Sequence, residues 1–110
     1  MGRRNHLGQF EFMTLVAMMR LDDAYGVAIA REIETASGRD VALASLYLTL
    51  SRLEANGLIE SKRGEPTPER GGRAKTFFTV TAKGVREVRD ARRALMRLWD
   101  GVPALRGETW

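Results

Sequence analysis

The sequence predicts a mainly helical fold that also contains a small antiparallel β-hairpin. Apolar residues recur at helical spacing in four segments, and two short β-type stretches lie between the third and the fourth of them. The 110 residues suffice for one ordinary domain. With 44% hydrophobic and 29% charged residues, the composition is that of a globular chain and not of a disordered one.

The first predicted helix covers residues 7–20 and is apolar on nearly every side. A helix of this kind is buried on more than one side. In so small a chain, we expect its second apolar side to contact another subunit. The candidate interface residues on this helix are Phe10, Met13 and Ala17.

The second and third helices follow a polar break at Asp22-Asp23, whose side chains we interpret as helix caps rather than as catalytic or metal-binding acids. The second helix opens at Tyr25 and ends at Ser37-Gly38, a C-terminal stop signal. The third helix covers residues 44–56. Its leucines form one stripe at i, i+4 and i+7, namely Leu46, Leu50 and Leu53.

Residues 58–63 and 74–80 predict the two strands of the hairpin. The loop between them, residues 64–73, holds two prolines and three glycines and is therefore rich in turns. Alternate residues of the second strand share one face of the hairpin: Thr76, Phe78 and Val80.

Thr81 is predicted to cap a fourth helix that continues to about Asp100 and, with about 19 residues, spans about 28 Å. Its apolar residues follow a heptad-like spacing that Arg92 interrupts. We interpret this stripe as a dimer seam, with packing on the same subunit as the alternative. The seam residues are Val85, Val88, Leu95, Trp99 and Val102.

Basic residues are concentrated in two segments of a chain whose net charge is +4. Residues 62–75 carry five basic and two acidic side chains, and residues 81–101 carry six basic and three acidic ones. Segregated positive charge indicates a polyanionic partner such as nucleic acid. The alternative is an ordinary solvated face.

Several functional classes are excluded by residue types that the sequence lacks. It has no cysteine and one histidine, His6, so it offers no thiol nucleophile, disulfide or multi-histidine metal site. No pair of carboxylates lies in an apolar setting, and we therefore predict neither an enzyme nor a bound cofactor. We expect a cytoplasmic protein without a membrane partner, because no apolar run approaches the roughly 18 residues of a membrane span and the N-terminus lacks the form of a signal peptide.

The predicted order of three helices, a hairpin and a last helix is that of a winged helix-turn-helix with a long C-terminal helix. In this scheme residues 1–80 form a DNA-binding unit, residues 81–101 the dimerisation helix, and residues 102–110 a flexible tail. The third helix is narrow enough to enter the major groove of double-stranded DNA, and the hairpin tip reaches the flanking backbone. Backbone amides and arginines of a glycine-rich tip bind phosphates well, and the predicted contacts are Arg70, Gly71, Gly72, Arg73 and Lys75.

On the third helix, Ser45, Thr49 and Arg52 lie off the leucine stripe, and we predict that they contact DNA; the alternative is a solvated face. Tyr47 lies beside the stripe and is predicted to be half core and half phosphate contact. Because Arg52 is the only cation of this helix, the hairpin with its loop, residues 58–80, which we call the wing, has to supply much of the electrostatic affinity.

Four pieces of the sequence, in this order and spacing, resemble the PadR family of bacterial transcriptional regulators over residues 10–100. They are Tyr25-Gly26, Ser45-Leu46-Tyr47 with Arg52-Leu53-Glu54, Asn56-Gly57-Leu58-Ile59, and Gly71-Gly72-Arg73-Ala74-Lys75. The resemblance is to the short subtype with a single C-terminal helix. It implies a homodimeric repressor that binds an inverted-repeat operator, in which the C-terminal helix packs against the first helix of the partner.

The resemblance also implies two finer features. Some short members of the family bind flat apolar effectors at the dimer interface, which makes Trp99, with Met13 and Phe10 of the partner, a candidate pocket; the alternative is a closed seam. Family members often have proline where this chain has Leu48. We expect an exposed leucine there to touch a thymine methyl group, or else to pack locally.

Two other functions compete with this interpretation. One is a winged-helix module for protein assembly, which has no need for clustered arginines in the hairpin tip. The other is a dimeric regulator of the MarR type, which usually uses more helices for its dimer interface.

Overall fold

Four helices and a two-stranded antiparallel sheet make up the fold over residues 7–64 and 75–105, the part of the chain that the computed structural model describes. This confirms the mainly helical fold with one hairpin that the sequence predicts. In chain order the elements are α1 (Gln9–Arg20), α2 (Gly26–Ser37), α3 (Leu43–Ala55), β1 (Ile59–Arg63), β2 (Thr76–Val80) and α4 (Ala82–Asp100).

The core is built around one side of α3. The leucine stripe predicted for this helix is buried, and it meets Leu15 of α1 and Ile29 and Ile33 of α2. Each fully buried leucine or isoleucine contributes roughly 1.5–3 kcal/mol relative to an exposed one. The stripe consists of Leu46, Leu50 and Leu53. Three helices are therefore held by a single apolar cluster, and the opposite side of α3 remains outside it.

The start of α2 is fixed by the hairpin and not by an aspartate cap. Tyr25 is the N-cap residue, and no side chain within the described residues caps the helix. The backbone N–H of Phe78 donates to the carbonyl of Ala24 at 2.8 Å, and Tyr25 forms an isolated antiparallel bridge with Phe77. The prediction that Asp22 and Asp23 cap α2 is therefore wrong: the chain before α2 is extended because it pairs with β2, and both carboxylates are exposed.

The hairpin is in register from Ile59 opposite Val80 to Arg63 opposite Thr76. Ile59 is fully buried, and Phe78 and Val80 pack against the helical core. The base of the hairpin is thereby part of the same core as α3, which fixes the direction in which the wing leaves the domain.

The start of α4 is tied to the turn that follows α3. The Thr81 hydroxyl accepts from the Gly84 N–H at 3.1 Å and donates to the Gly57 carbonyl at 2.7 Å. A Cβ atom on Gly84 would overlap the carbonyl oxygen of Leu58, so only glycine allows this close approach. The predicted cap at Thr81 is confirmed.

The first part of α4 packs on its own chain. Val88 belongs to the core, and Val85 lines a groove together with Met18 and Met19 of α1 and with the hairpin. Ala91 and Leu95 line a second groove against the first turns of α1. For Val88 the prediction of a dimer seam is wrong, because its side chain is already buried within one subunit.

Membrane-spanning character is absent from the helices of residues 7–64 and 75–105, since none is both long and apolar enough to cross a bilayer.

The double role of Thr81 leads to a prediction about stability. Thr81→Ala removes the cap of α4 and the bond to Gly57, and we expect the free energy of unfolding to fall by about 1–2 kcal/mol. Thr81→Ser keeps the hydroxyl and is expected to lose less than half as much. Urea unfolding followed by circular dichroism measures both, and an equal loss in the two variants would contradict the hydrogen-bonding role of the hydroxyl.

Candidate nucleic-acid interface

The exposed side of α3 lies directly opposite its buried stripe. A helix turns by about 100° per residue, so a residue two positions from Leu46 and two from Leu50 points away from both. That residue is Leu48, which is 65% exposed. Ala44 and Ser51 lie beside it on the same side and are also exposed. We call these three residues the central face of α3.

Tyr47 borders the central face on one flank, where α3 meets α2. Its ring lies against Gly26, so closely that a Cβ atom there would overlap the ring and its hydroxyl. The side of the ring that Gly26 does not cover is open, and the residue is 46% exposed. The Tyr25-Gly26 pair of the sequence thus has a structural reason, since the glycine makes room for the Tyr47 ring of α3.

Arg52 borders the central face on the opposite flank, next to α1. Its guanidinium lies 3.9 Å from the carboxylate of Glu11, and its side chain is 61% exposed. Glu11 also accepts from the Gly8 N–H at 2.8 Å and so closes the first turn of α1. A long-range pair at this distance and exposure contributes at most a fraction of 1 kcal/mol. The guanidinium donors are therefore largely free to bind an external partner.

The remaining polar candidates on α3 separate into two groups. Ser45 is exposed on the Arg52 flank. Thr49 is only 5% exposed and lies among the core leucines. The prediction that Thr49 contacts DNA is wrong, because its position on the helix is adjacent to the buried stripe. The exposed Ser51 was missed by the sequence reasoning, although its position three residues after Leu48 places it on the central face.

The base of the wing is held by aromatic contacts. The rings of Tyr25 and Phe77 pack edge to face, with centroids 6.1 Å apart. The ammonium group of Lys75 lies 3.7 Å from the centre of the Tyr25 ring, a cation–π contact. Lys75 is thus half-buried at the point where the wing meets α2, instead of standing free in the loop.

Two further cations lie on the wing strand. Lys62 and Arg63 are exposed at the end of β1. The sequence analysis counted the charges of Lys62 and Arg63 but did not assign these residues to the DNA contacts. Both lie at the loop end of a predicted strand, and this position could have identified them. The predicted contacts Arg70, Gly71, Gly72 and Arg73 lie outside the described residues.

The residues predicted to form the dimer interface differ in how much of their surface is exposed in a single chain. Ala17 is 5% exposed and lines a groove with Met13 and Val16 of the same helix, and its assignment to a subunit interface stays a prediction. Towards the end of α4, by contrast, large apolar side chains are exposed. One of them, Leu98, is 72% exposed and was missed because it lies beside the heptad positions and not on them. These exposed side chains are Leu95, Leu98, Trp99 and Val102.

The residues proposed for an effector pocket are not gathered in one cavity of a single chain. Phe10 and Met13 line a groove of about 370 Å³ between α1 and the end of α2, together with Arg39 and Val41. Trp99 lies near the C-terminal end of α4 and is not part of that groove. The pocket stays a prediction about a second subunit.

Comparison with known sequences identifies the family of this architecture. The profile of the family described as "Transcriptional regulator PadR-like family" matches residues 15–90, which includes α3 and the whole hairpin. The chain belongs to the PadR-like family of transcriptional regulators. No functionally curated protein matches the sequence.

Solved structures agree with this assignment. A PadR family transcriptional regulator from Eggerthella lenta is 25% identical, with 92% of this chain and 86% of that chain covered and a TM-score of 0.68. A PadR-like regulator from Bacillus cereus is 20% identical, with 90% and 93% covered and a TM-score of 0.72. A complex structure of hsRosR-S4 is 25% identical, with 91% and 80% covered and a TM-score of 0.68.

The contact between Gly26 and Tyr47 predicts that Gly26→Ala destabilises the natural protein but does not destabilise a variant that lacks the Tyr47 ring. Gly26→Ala in the natural sequence forces the Tyr47 ring aside, and we expect a loss of about 1–2 kcal/mol in the free energy of unfolding. In a Tyr47→Ala background the collision is gone, and alanine favours the helix, so the same change is expected to be neutral or stabilising by up to about 1 kcal/mol. A double-mutant cycle from urea unfolding measures the coupling. Equal losses in both backgrounds would show that the ring does not occupy this place.

Proposed function

We propose that this PadR-like regulator is a sequence-specific DNA-binding repressor that acts as a homodimer on an inverted-repeat operator. One observation carries the proposal: the side of α3 opposite the core is exposed, and it lies beside a hairpin whose strand carries exposed cations. A single α-helix fits the major groove, and cations on an adjacent hairpin then lie over the phosphates on either side of it.

The proposed DNA contacts are of two kinds, base contacts from α3 and phosphate contacts from the wing. On α3, the side chains of Ser45, Leu48 and Arg52 reach the base edges, because they lie on the central face or on its open flank. On the wing, Arg63 and Arg73 bind phosphates, which fixes the register of the protein on the duplex without reading the bases. Because α3 carries one cation and one anion, Arg52 and Glu54, the attraction to the phosphates comes mainly from the wing.

The homodimer is supported by the apolar end of α4. Leu98 and Trp99 on its last turns, with Leu95 and Val102 on either side, form an exposed apolar strip that the described part of their own chain leaves uncovered. A strip of this kind is typical of a protein interface. A two-fold dimer presents two α3 helices related by the same axis, and such a pair binds an inverted repeat with half-sites about one helical turn apart.

Repression is the consequence of the dimer binding its operator. A dimer on two half-sites covers about two turns of duplex, and a promoter covered in this way is closed to other proteins. The experiment that tests the proposal is selection of duplexes from a random pool by the purified protein. An inverted repeat is the expected result, and a pool without sequence enrichment would contradict it.

The separate roles of the wing and α3 predict that substitutions in the two elements weaken DNA binding in different ways. Arg73→Ala should weaken binding to all duplexes alike and lower the slope of log affinity against log salt by about 1 for each phosphate that the protein no longer binds. Arg52→Ala should cost about 1–3 kcal/mol on the selected duplex and much less on unrelated DNA. Fluorescence anisotropy at several salt concentrations measures both.

Arg93→Ala serves as the control for charge alone, since Arg93 lies on the outer side of α4 and pairs with Asp90. It is expected to leave the affinity nearly unchanged. The same loss of sequence preference from Arg52→Ala and Arg73→Ala would contradict the proposed roles.

The apolar end of α4 predicts the mass of the protein in solution. Light scattering at micromolar concentration should give about twice the chain mass of 12.3 kDa. Leu98→Glu places a charge in the proposed interface and should shift the protein towards the monomer, because an unpaired buried charge is strongly unfavourable. Arg97→Glu, one residue earlier and outside the apolar strip, should leave the dimer intact. A monomeric natural protein would disprove the assignment of α4 as a dimer helix.

A further inference from the structure

We propose that Leu48 selects thymine by packing against the 5-methyl group that thymine carries in the major groove. This inference rests on the proposed entry of α3 into the groove, and it names the chemical group that the centre of the helix recognises.

The first argument is the exposure of Leu48. Every other leucine in the middle of α3 is buried, whereas Leu48 is 65% exposed and projects from the centre of the opposite side. The two explanations open from the sequence were local packing and contact with DNA. In the described part of the chain the side chain lacks a local packing partner large enough to cover it, which favours an external one.

The second argument is what surrounds Leu48. Its neighbours on the central face, Ala44 and Ser51, end in a methyl group and a short hydroxyl. The long polar side chains stand on the two flanks, Tyr47 against Gly26 and Arg52 towards Glu11. The three residues of the central face therefore carry neither a guanidinium for guanine nor a side-chain amide for adenine, and the nearest guanidinium, that of Arg52, lies one turn beyond Leu48 and beside Glu11.

The third argument is the chemistry of the base edges. In the major groove guanine and adenine present hydrogen-bonding atoms, cytosine presents an amino group, and thymine alone adds a methyl group. Leucine over a guanine or a cytosine removes water from polar atoms without replacing its hydrogen bonds, which is unfavourable. Leucine over a thymine buries two apolar groups together. The same side chain thus both attracts a T·A pair and rejects a G·C pair.

The test removes the 5-methyl group from the DNA and the isopropyl group of Leu48 from the protein in turn. The probe is the duplex that the natural protein enriches most from a random pool, resynthesised with deoxyuridine in place of thymine at one position at a time. For the natural protein, we expect one position per half-site where uracil weakens binding by about fourfold per methyl group removed. For Leu48→Ala, thymine and uracil at that position should bind within a factor of about 1.5.

Two controls show whether the effect is specific to Leu48 and to the methyl group. Leu43→Ala is the same substitution in the same helix at another exposed leucine, off the central face, and it should keep the fourfold preference for thymine. A duplex with a C·G pair at the sensitive position should bind poorly, and 5-methylcytosine there should recover at least half of the free energy lost, because its methyl group occupies the same place in the groove. Thermal unfolding of both variants checks that they fold.

The outcomes separate this inference from the proposed function. If no duplex is enriched, sequence-specific binding is disproved, and the inference with it. If a duplex is enriched but uracil binds as well as thymine at every position, the function stands and the role of Leu48 is disproved. A uracil penalty of equal size in the natural protein and in Leu48→Ala also disproves it, because another group then reads the methyl.

Discussion

Burial of the leucine stripe of α3 joins this helix to α1 and α2 in a single core. Leu46, Leu50 and Leu53 have almost no exposed surface, and together they contribute roughly 5–9 kcal/mol at the usual gain per buried side chain. Because these residues fix the rotation of α3 about its axis, they also decide which residues face outward. The central face is thus a consequence of the core: a rotation that hid Leu48 would expose the stripe, and the three exposed leucines would destabilise the fold far more than one covered leucine stabilises it.

The hairpin is positioned by contacts that begin at the same core. Backbone pairing of Ala24 with Phe78 and the edge-to-face packing of Tyr25 on Phe77 join the start of α2 to β2. Gly26, the next residue, leaves room for the Tyr47 ring of α3. The hairpin and α3 are therefore both held against the start of α2 by residues next to each other in sequence, Ala24, Tyr25 and Gly26.

Sequence reasoning succeeded where periodicity carries the information and failed where tertiary contacts override it. The leucine spacing of α3 and the capping residue Thr81 are local signals, and both were predicted correctly. The aspartates before α2 have the same capping chemistry, but pairing of Ala24 with the hairpin took precedence. For Thr49, polarity suggested the surface, whereas its angular position beside Leu46 and Leu53 placed it in the core. The half of α4 that packs on its own chain could not be told from the half that remains exposed, because both carry the same apolar spacing.

The first turn of α1 contacts both α3 and α4. Its Glu11 closes the helix start through Gly8 and lies next to Arg52 on the open flank of α3. The same turn forms one wall of the groove whose other wall is Leu95, where the exposed apolar end of α4 begins. The arrangement of α4 against α1 and the surroundings of Arg52 are thus linked through the start of a single helix. Because Gly8 both lines that groove and donates its N–H to the Glu11 carboxylate, one hydrogen bond joins the wall of the groove to the acid beside Arg52.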